Sequence, residues 1–424
     1  MATTYTDIGR DYLNAHKHDR MYSMGGWYRY ERGVWTRVER EQFQLEVWNL
    51  LEFYEKSKKV KPSITMRNNV EEFMRAKLFI PHTELNTWEH MINMRNGVYD
   101  LKDGILLSHD PIKYFTSQLP FDYVPGADCP LWQQYLEKQI TNRDLKYDPE
   151  LAEYIQEAVG YSMTMRNDQD VSFFCYGDGG TGKSTLLNII KKLAGDSGMV
   201  LNVNRLKQNE YQLALLPGKR VVYCSEADSQ EVVADEIVKN IISGDPIQVR
   251  MIYREPIQIE PKVKVWWMLN TLPPVTDPTD GFWRRIRVIK FWRKVPVDER
   301  IDHIWNVMEN EGELPGIFNW AMVGLSRFTM RNGFDTPKSV LVETSSYRID
   351  SSPIAQFLDE QMAIGLGVGD VISSRIYNEY KTWAYANGFK QVSIKTFRHT
   401  MENLGHYPVR RSSGVYYVNM MVKI

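Results

Sequence analysis

Eight consecutive residues, Gly177-Asp178-Gly179-Gly180-Thr181-Gly182-Lys183-Ser184, fit the pattern GxxxxGK[ST]. Residues of these types at this spacing cradle phosphate. The glycines let the backbone turn tightly enough to aim its N–H groups at phosphate oxygens, and a helix opening directly after them adds partial positive charge. Lys183 is suited to neutralise the β- and γ-phosphates. Ser184, with Thr185 as second choice, is suited to place a hydroxyl on Mg²⁺. The expected cofactors are ATP and Mg²⁺.

Three further groups turn a phosphate cradle into a site of hydrolysis. The stretch Arg220-Val221-Val222-Tyr223-Cys224-Ser225-Glu226-Ala227-Asp228 is an apolar run ending in acid. Glu226 stands where a carboxylate polarises attacking water, and Ser225 or Asp228 where a group joins the metal shell. The apolar run Lys264–Leu269 ends on Asn270, an amide at a strand tip that can hydrogen-bond the γ-phosphate or the water. The adjacent Arg284 and Arg285 are candidates for an arginine finger, a guanidinium that stabilises γ-phosphate charge across a subunit interface. Arg284 is the first choice of the two.

These groups need a rigid frame, and residues 171–292 supply one. Apolar runs (VSFFCY, RVVYC, VKVWWMLN, RIRVIKF) alternate with loops and helices, the pattern of an α/β sheet buried on both faces. A strand at Val171–Tyr176 precedes the glycine loop and an amphipathic helix at Ser184–Ala194 follows it. Ile247–Tyr253 and Ile257–Ile259 read as a hairpin whose Arg250 and Arg254 could grip DNA phosphates without reading bases.

Outside this block the chain is modular, as 424 residues require. Residues 23–40 alternate around Glu31-Arg32-Gly33 as a hairpin, and 91–111 form a second β-unit with turns at Asn96-Gly97 and Asp103-Gly104. From Asp128 to Met163 two helical stripes appear: Trp132, Tyr135 and Leu136, then Leu151, Tyr154, Ile155 and Ala158. Helix is expected again from Arg300 to Thr329, and a polar connector around Thr336–Ser352. The divisions drawn are 1–125, 126–165 (a helical collar), 166–299 (the ATPase core), 300–345 (a helical lid) and 346–424.

Composition excludes several classes. At 43% hydrophobic and 25% charged the chain is neither disordered nor fibrous, and no run approaches the roughly 18 apolar residues of a membrane span. The polar N-terminus is unlike a signal peptide, so a cytoplasmic protein, of the host cell if viral, is expected. Cys129, Cys175 and Cys224 lack zinc-ligand spacing and read as core residues. A net charge of −1 means that nucleic-acid contact must come from local patches. One such patch spans Ser373–Ile424, with eight Lys/Arg against two Asp/Glu.

In that patch Ser393 caps a helix with Ile394, Phe397, Met401 and Leu404 on one face, leaving Lys395, Arg398 and His399 outward. Two strands around Arg410-Arg411-Ser412-Ser413-Gly414 follow, the pattern of a winged helix-turn-helix. Lys395, Arg398, Arg410 and Arg411 are the DNA-contact candidates there.

Order and spacing of these elements resemble the superfamily 3 helicases, specifically the phage, plasmid and poxvirus primase–helicase group. The similar residues include the SEAD strand end, the K-x4-GD-x4-R run from Lys239 through Gly244 and Asp245 to Arg250, LNTLPP, and GFWRRI. Upstream, NGVYDLKDG, His109–Pro111 and PGADCPLW resemble the domain before the helicase, and Leu314–Ala321 resembles the lid helix. The resemblance covers about residues 85–400. It implies an AAA+ core with an α+β N-terminal domain, a helical collar and a C-terminal winged helix. It also implies a hexameric homo-oligomer around single-stranded or forked DNA, hydrolysis between subunits and 3′-to-5′ translocation.

Two departures stand out: Ser225 replaces the first acid of the usual pair, and residues 1–150 carry no primase constellation. The chain is therefore read as the helicase half of a primase–helicase or a stand-alone helicase, with a primase or polymerase domain as its expected partner. The competing readings are an ATP-switched origin-binding or assembly protein that unwinds little, and a small-molecule P-loop kinase.

Overall fold

The apolar runs in the middle of the chain pair as one parallel sheet. Its strands are β1 (Ser172–Tyr176), β2 (Gly198–Val200), β3 (Val221–Ser225), β4 (Lys264–Leu269) and β5 (Ile286–Lys290). They lie in the order β5-β1-β4-β3-β2, and every pairing is parallel. The structure is a computed structural model describing residues 3–57, 60–202, 206, 210–225, 236–250, 256–273, 275 and 280–423.

Near-continuous apolar sequence suits these strands because both sheet faces are covered. Successive side chains alternate: Phe173, Cys175 and Trp266 enter one core, while Phe174 and Trp267 enter the other. The first core is closed by the collar helices α1 (Pro130–Gln139) and α2 (Pro149–Ser162), by α3 (Lys183–Ala194) and by α4 (Leu314–Arg331). Both collar stripes are buried as the sequence predicts. All three cysteines are also buried.

The collar and the lid turn out to be one packed layer. A β-carbon built on Gly324 of α4 would stand 2.5 Å from the Gln156 carbonyl carbon of α2, so only glycine permits this approach. Polar ties reinforce it: Gln156 Nε2 donates to the Trp320 carbonyl at 2.7 Å, and Arg331 Nη2 to buried Glu157 at 2.5 Å.

The polar connector expected around Thr336–Ser352 is instead a helix, α5 (Lys338–Asp350). It packs against β5, with Val340 and Tyr347 buried. Two hydroxyls fix it: Thr344 Oγ1 accepts from Val288 N at 3.0 Å, and Tyr347 donates to the Pro273 carbonyl at 2.6 Å. Its other residues face outward or are half-buried, so polar composition concealed a helix that tertiary contacts stabilise.

Upstream, strands Arg20–Ser23, Gly26–Glu31 and Val34–Val38 form a meander turning at the expected Arg32-Gly33. With helices Tyr5–His16, Arg40–Lys56 and Ile64–Lys77 they enclose a core of their own, in which Trp27 stacks on Phe43. The second meander (Met91–Met94, Gly97–Asp100, Ile105–Leu107) sends Ile92 and Met94 into the core shared by the sheet and collar.

The C-terminal residues 353–423 fold around Phe357, Tyr380, Phe397, Met401 and Tyr417. The helix Ile394–Asn403 begins where expected, with Ser393 Oγ accepting from Thr396 N at 3.1 Å. Strands Pro408–Arg411 and Gly414–Val418 pair antiparallel beyond it. Ile394, expected on the packed face, is 45% exposed. As the first helical residue it lies beyond the end of the stripe that Phe397 and Met401 bury.

Candidate nucleotide-binding site

The glycine loop leaves the C-terminal end of β1, a central strand, and runs directly into α3. Gly182 makes the join at φ +85, a left-handed conformation that costs a residue with a β-carbon energy. Lys183 is buried, and its ammonium donates to the carbonyls of Gly177 (2.5 Å) and Asp178 (2.7 Å) and to Thr181 Oγ1 (3.3 Å). The loop is thus wrapped around its own cation, while Asp178, Gly179 and Gly180 are exposed. Ser184 is exposed and donates to Met268 Sδ at 3.4 Å; Thr185 is buried. Of the two hydroxyls, Ser184 is the one open to a metal.

Beneath the lysine, burial pushes the Cys175 thiol up to about 12, and the nearby Lys183 ammonium offsets only part of this. Cys175 is therefore a protonated core residue and no nucleophile.

Neighbouring strands bring the next groups alongside. Leu269 of β4 is in register with Tyr176, and Gly177 N donates to the Leu269 carbonyl at 3.3 Å, which sets exposed Asn270 beside the start of the loop. On the other side of β4, Ser225 is in register with Met268. Glu226 and Asp228 lie outside the described residues.

Two segments that sequence reasoning did not connect with the site also clasp the loop. From the collar, Tyr135 donates its hydroxyl to the Gly182 carbonyl at 3.0 Å. From beyond β5, Phe291 N donates to the Tyr176 carbonyl at 2.8 Å and Val295 N to the Gly180 carbonyl at 2.9 Å. Between them lies a cavity of about 310 Å³ lined by Tyr135, Gln139, Lys183, Ser184, Arg300 and Trp305, among others. Tyr135 sits on an apolar stripe, so its spacing signalled core alone.

The arginine pair separates. Arg285 is buried, with Nε donating to Ser243 Oγ at 2.7 Å, Nη1 to the Gly281 carbonyl, and Nη2 3.4 Å from Asp170. Arg284 has 65% of its side chain exposed and only a 3.7 Å approach to the same carboxylate. Both stand at the N-terminal end of β5, where the Arg285 carbonyl accepts from Ser172 N, the start of β1. Five strand residues at about 3.3 Å each put roughly 15 Å between this end and the same chain's glycine loop.

The DNA-contact candidates occupy separate elements. Arg250 is exposed just past the strand Ile247–Val249, which pairs with Ile257–Ile259 as expected. Arg254 lies outside the described residues. Lys395 and Arg398 are exposed on their helix and Arg410 on its strand. Arg411 is 2.6 Å from Asp370, whose carboxyl it holds below the usual range, and lies 5.3 Å from the Tyr416 ring centroid. Among the described residues no helix is long and apolar enough to cross a membrane.

Residues 10–140 match a family model described as D5 N terminal like, and residues 175–285 match one described as a family of unknown function. The chain is 24% identical over 333 residues to an Acanthamoeba polyphaga mimivirus protein provisionally named a helicase, covering 70% of this chain and 33% of that protein. A similarly named protein of Invertebrate iridescent virus 6 is 24% identical over 347 residues, 72% of this chain and 35% of its own length. Primase D5 of Fowlpox virus (strain NVSL) is 24% identical over 232 residues, 50% of this chain and 29% of its length.

The chain thus spans about a third of the length of these curated relatives. A solved structure of the NrS-1 C-terminal region superposes with a TM-score of 0.53 at 11% identity, covering 99% of this chain and 100% of that one, which shows a shared fold. A D5-like N-terminal segment joined to a glycine-loop sheet, with relatives named for helicase and primase, makes this chain similar to the viral primase–helicase group.

Proposed function

We propose that the chain is the motor part of an ATP-dependent DNA helicase of superfamily 3. In this reading it works as a ring of six copies that hydrolyses ATP between subunits and moves 3′-to-5′ on single-stranded DNA. The observation that carries this reading is the division of arginine from phosphate loop. Arg284 is exposed at one end of the sheet, roughly 15 Å from its own loop at the other. A guanidinium so placed serves a nucleotide only if that nucleotide belongs to a neighbour. The AAA+ reading draws further support from the strand order, with β4 between the phosphate-loop strand and the acidic strand.

In this reading the backbone of Gly177–Gly182 and Lys183 bind the β- and γ-phosphates, and the Ser184 hydroxyl holds Mg²⁺ together with Glu226 or Asp228. Bound Mg²⁺ supplies charge neutralisation across those phosphates. Glu226 takes the proton side of the attacking water, Asn270 orients that water or the γ-phosphate, and Arg284 of the adjacent copy meets the developing charge. Arg285 holds the segment that presents Arg284. Arg250 and Arg254 on the hairpin track the DNA backbone, and Lys395, Arg398, Arg410 and Arg411 add a second basic surface.

The test is forked-DNA unwinding by the purified chain and by Lys183→Ala. Wild type should unwind with ATP and Mg²⁺, and the variant should lose hydrolysis and unwinding together. Unwinding that persists at the wild-type rate without hydrolysis would sink the motor reading.

A further inference from the structure

We propose that Arg300 is a second phosphate-binding cation of the nucleotide site, acting in cis on the polyphosphate of the same subunit whose Lys183 it faces. This rests on the reading of Gly177–Ser184 as a nucleotide loop and adds to it a residue that no motif marks.

Chain geometry comes first. After β5 the backbone doubles back over the glycine loop, tied by Phe291 N to the Tyr176 carbonyl and by Val295 N to the Gly180 carbonyl. A single 3₁₀ turn, Val297–Glu299, then delivers Arg300, whose N–H closes on the Val297 carbonyl at 3.3 Å. Because these ties lie within one chain, Arg300 belongs to the same subunit as the loop beneath it.

Side-chain position follows. A β-carbon built on Gly180 would stand 3.4 Å from Arg300 Nη2, so the guanidinium hangs over the exposed middle of the loop. It lines the same 310 Å³ cavity as Lys183 and Ser184. Arg284 differs, since it stands at the opposite end of the sheet.

Charge completes the case. The neighbouring carboxylate, Glu299, is already engaged by Arg293 at 2.7 Å and by Lys138 at 3.8 Å. Among the described residues no carboxylate lies within 4.0 Å of the Arg300 guanidinium. An uncompensated guanidinium above the N–H groups of a phosphate loop is complementary to a di- or triphosphate, whose oxygens its planar fork can take two at a time. A monophosphate, seated nearer the base, gains little from it.

The experiment titrates the full chain, wild type and Arg300→Ala, Arg300→Lys and Lys183→Ala, with fluorescent analogues of non-hydrolysable ATP and of AMP. Arg300→Ala should weaken the ATP analogue roughly ten- to hundredfold, the scale of a charged hydrogen bond, and leave the AMP analogue nearly unchanged. Arg300→Lys should recover part of the loss. Wild-type affinity for the ATP analogue in Arg300→Ala would overturn the role of Arg300 and leave the nucleotide site standing. Equal weakening of both analogues would also overturn it, as would be expected of a residue that only shapes the loop. Failure of the wild type itself to bind the ATP analogue would instead overturn the underlying site. Mixing Arg300→Ala with Lys183→Ala chains should restore no hydrolysis, because a cis pair cannot be reassembled from two subunits; restored hydrolysis would refute action in cis.

Discussion

The Tyr135 hydroxyl donates to the Gly182 carbonyl at 3.0 Å, so a collar helix holds the residue that sets the direction of the Lys183 side chain. Burial raises the phenol well above its ordinary range, so it stays a donor at any working pH. Tyr135→Phe keeps the ring and removes the bond. Thermal unfolding should register a loss of about 1 kcal/mol, and the ATP concentration for half-maximal hydrolysis should rise several-fold. An unchanged half-saturation would show that the collar plays no part in ordering the loop.

Arg284 and Arg285 should part company on substitution. Arg285→Ala leaves Ser243 and Asp170 without their buried partner, and denaturant unfolding should show a cost of about 1–3 kcal/mol. Arg284→Ala should move stability by no more than about 0.5 kcal/mol yet slow hydrolysis on the order of a thousandfold. Mixed with Lys183→Ala chains it should regain hydrolysis, since each variant carries the half that the other lacks. Full activity in Arg284→Ala would remove it from the site.

Packing of the collar against the lid gives a third measurement. Gly324→Ala puts a β-carbon 2.5 Å from the Gln156 backbone, and overpacking of this kind costs about 1–3 kcal/mol. Calorimetry should show the lowered melting temperature. A variant as stable as wild type would mean that the two helices can separate freely.

Lys264 provides a pH dependence. It is wholly buried, and burial, aided by Arg220, holds its ammonium far below the ordinary lysine value. The unfolded chain therefore binds more protons than the native one between that depressed value and the usual 10.5, and stability should rise with pH through this window. Lys264→Met removes the titrating group at the expense of its hydrogen bond to the Thr164 carbonyl. Urea midpoints measured across about pH 7 to 10 should rise for wild type and flatten for the variant. A slope unaltered by the substitution would place the titration elsewhere.

What could be read from sequence was what is local. The glycine loop, the strand before it and the helix after it occupy one continuous stretch, and Ser393 capped its helix as its side chain requires. What escaped depended on distant chain. Two adjacent arginines look alike in sequence, and only the position of Asp170 and Ser243 separates them. Tyr135 obeys the spacing of a core residue while its hydroxyl serves the loop. Helix α5 has two buried anchors, Val340 and Tyr347, in a polar stretch, too few for a period to show.

That helix has one more effect. By taking the Val288 N–H on Thr344 Oγ1, α5 occupies a rim of the sheet where an extra strand would otherwise dock. The opposite rim is β2, only three residues long. Rims blunted in this way leave other chains little edge of this sheet on which to add a strand.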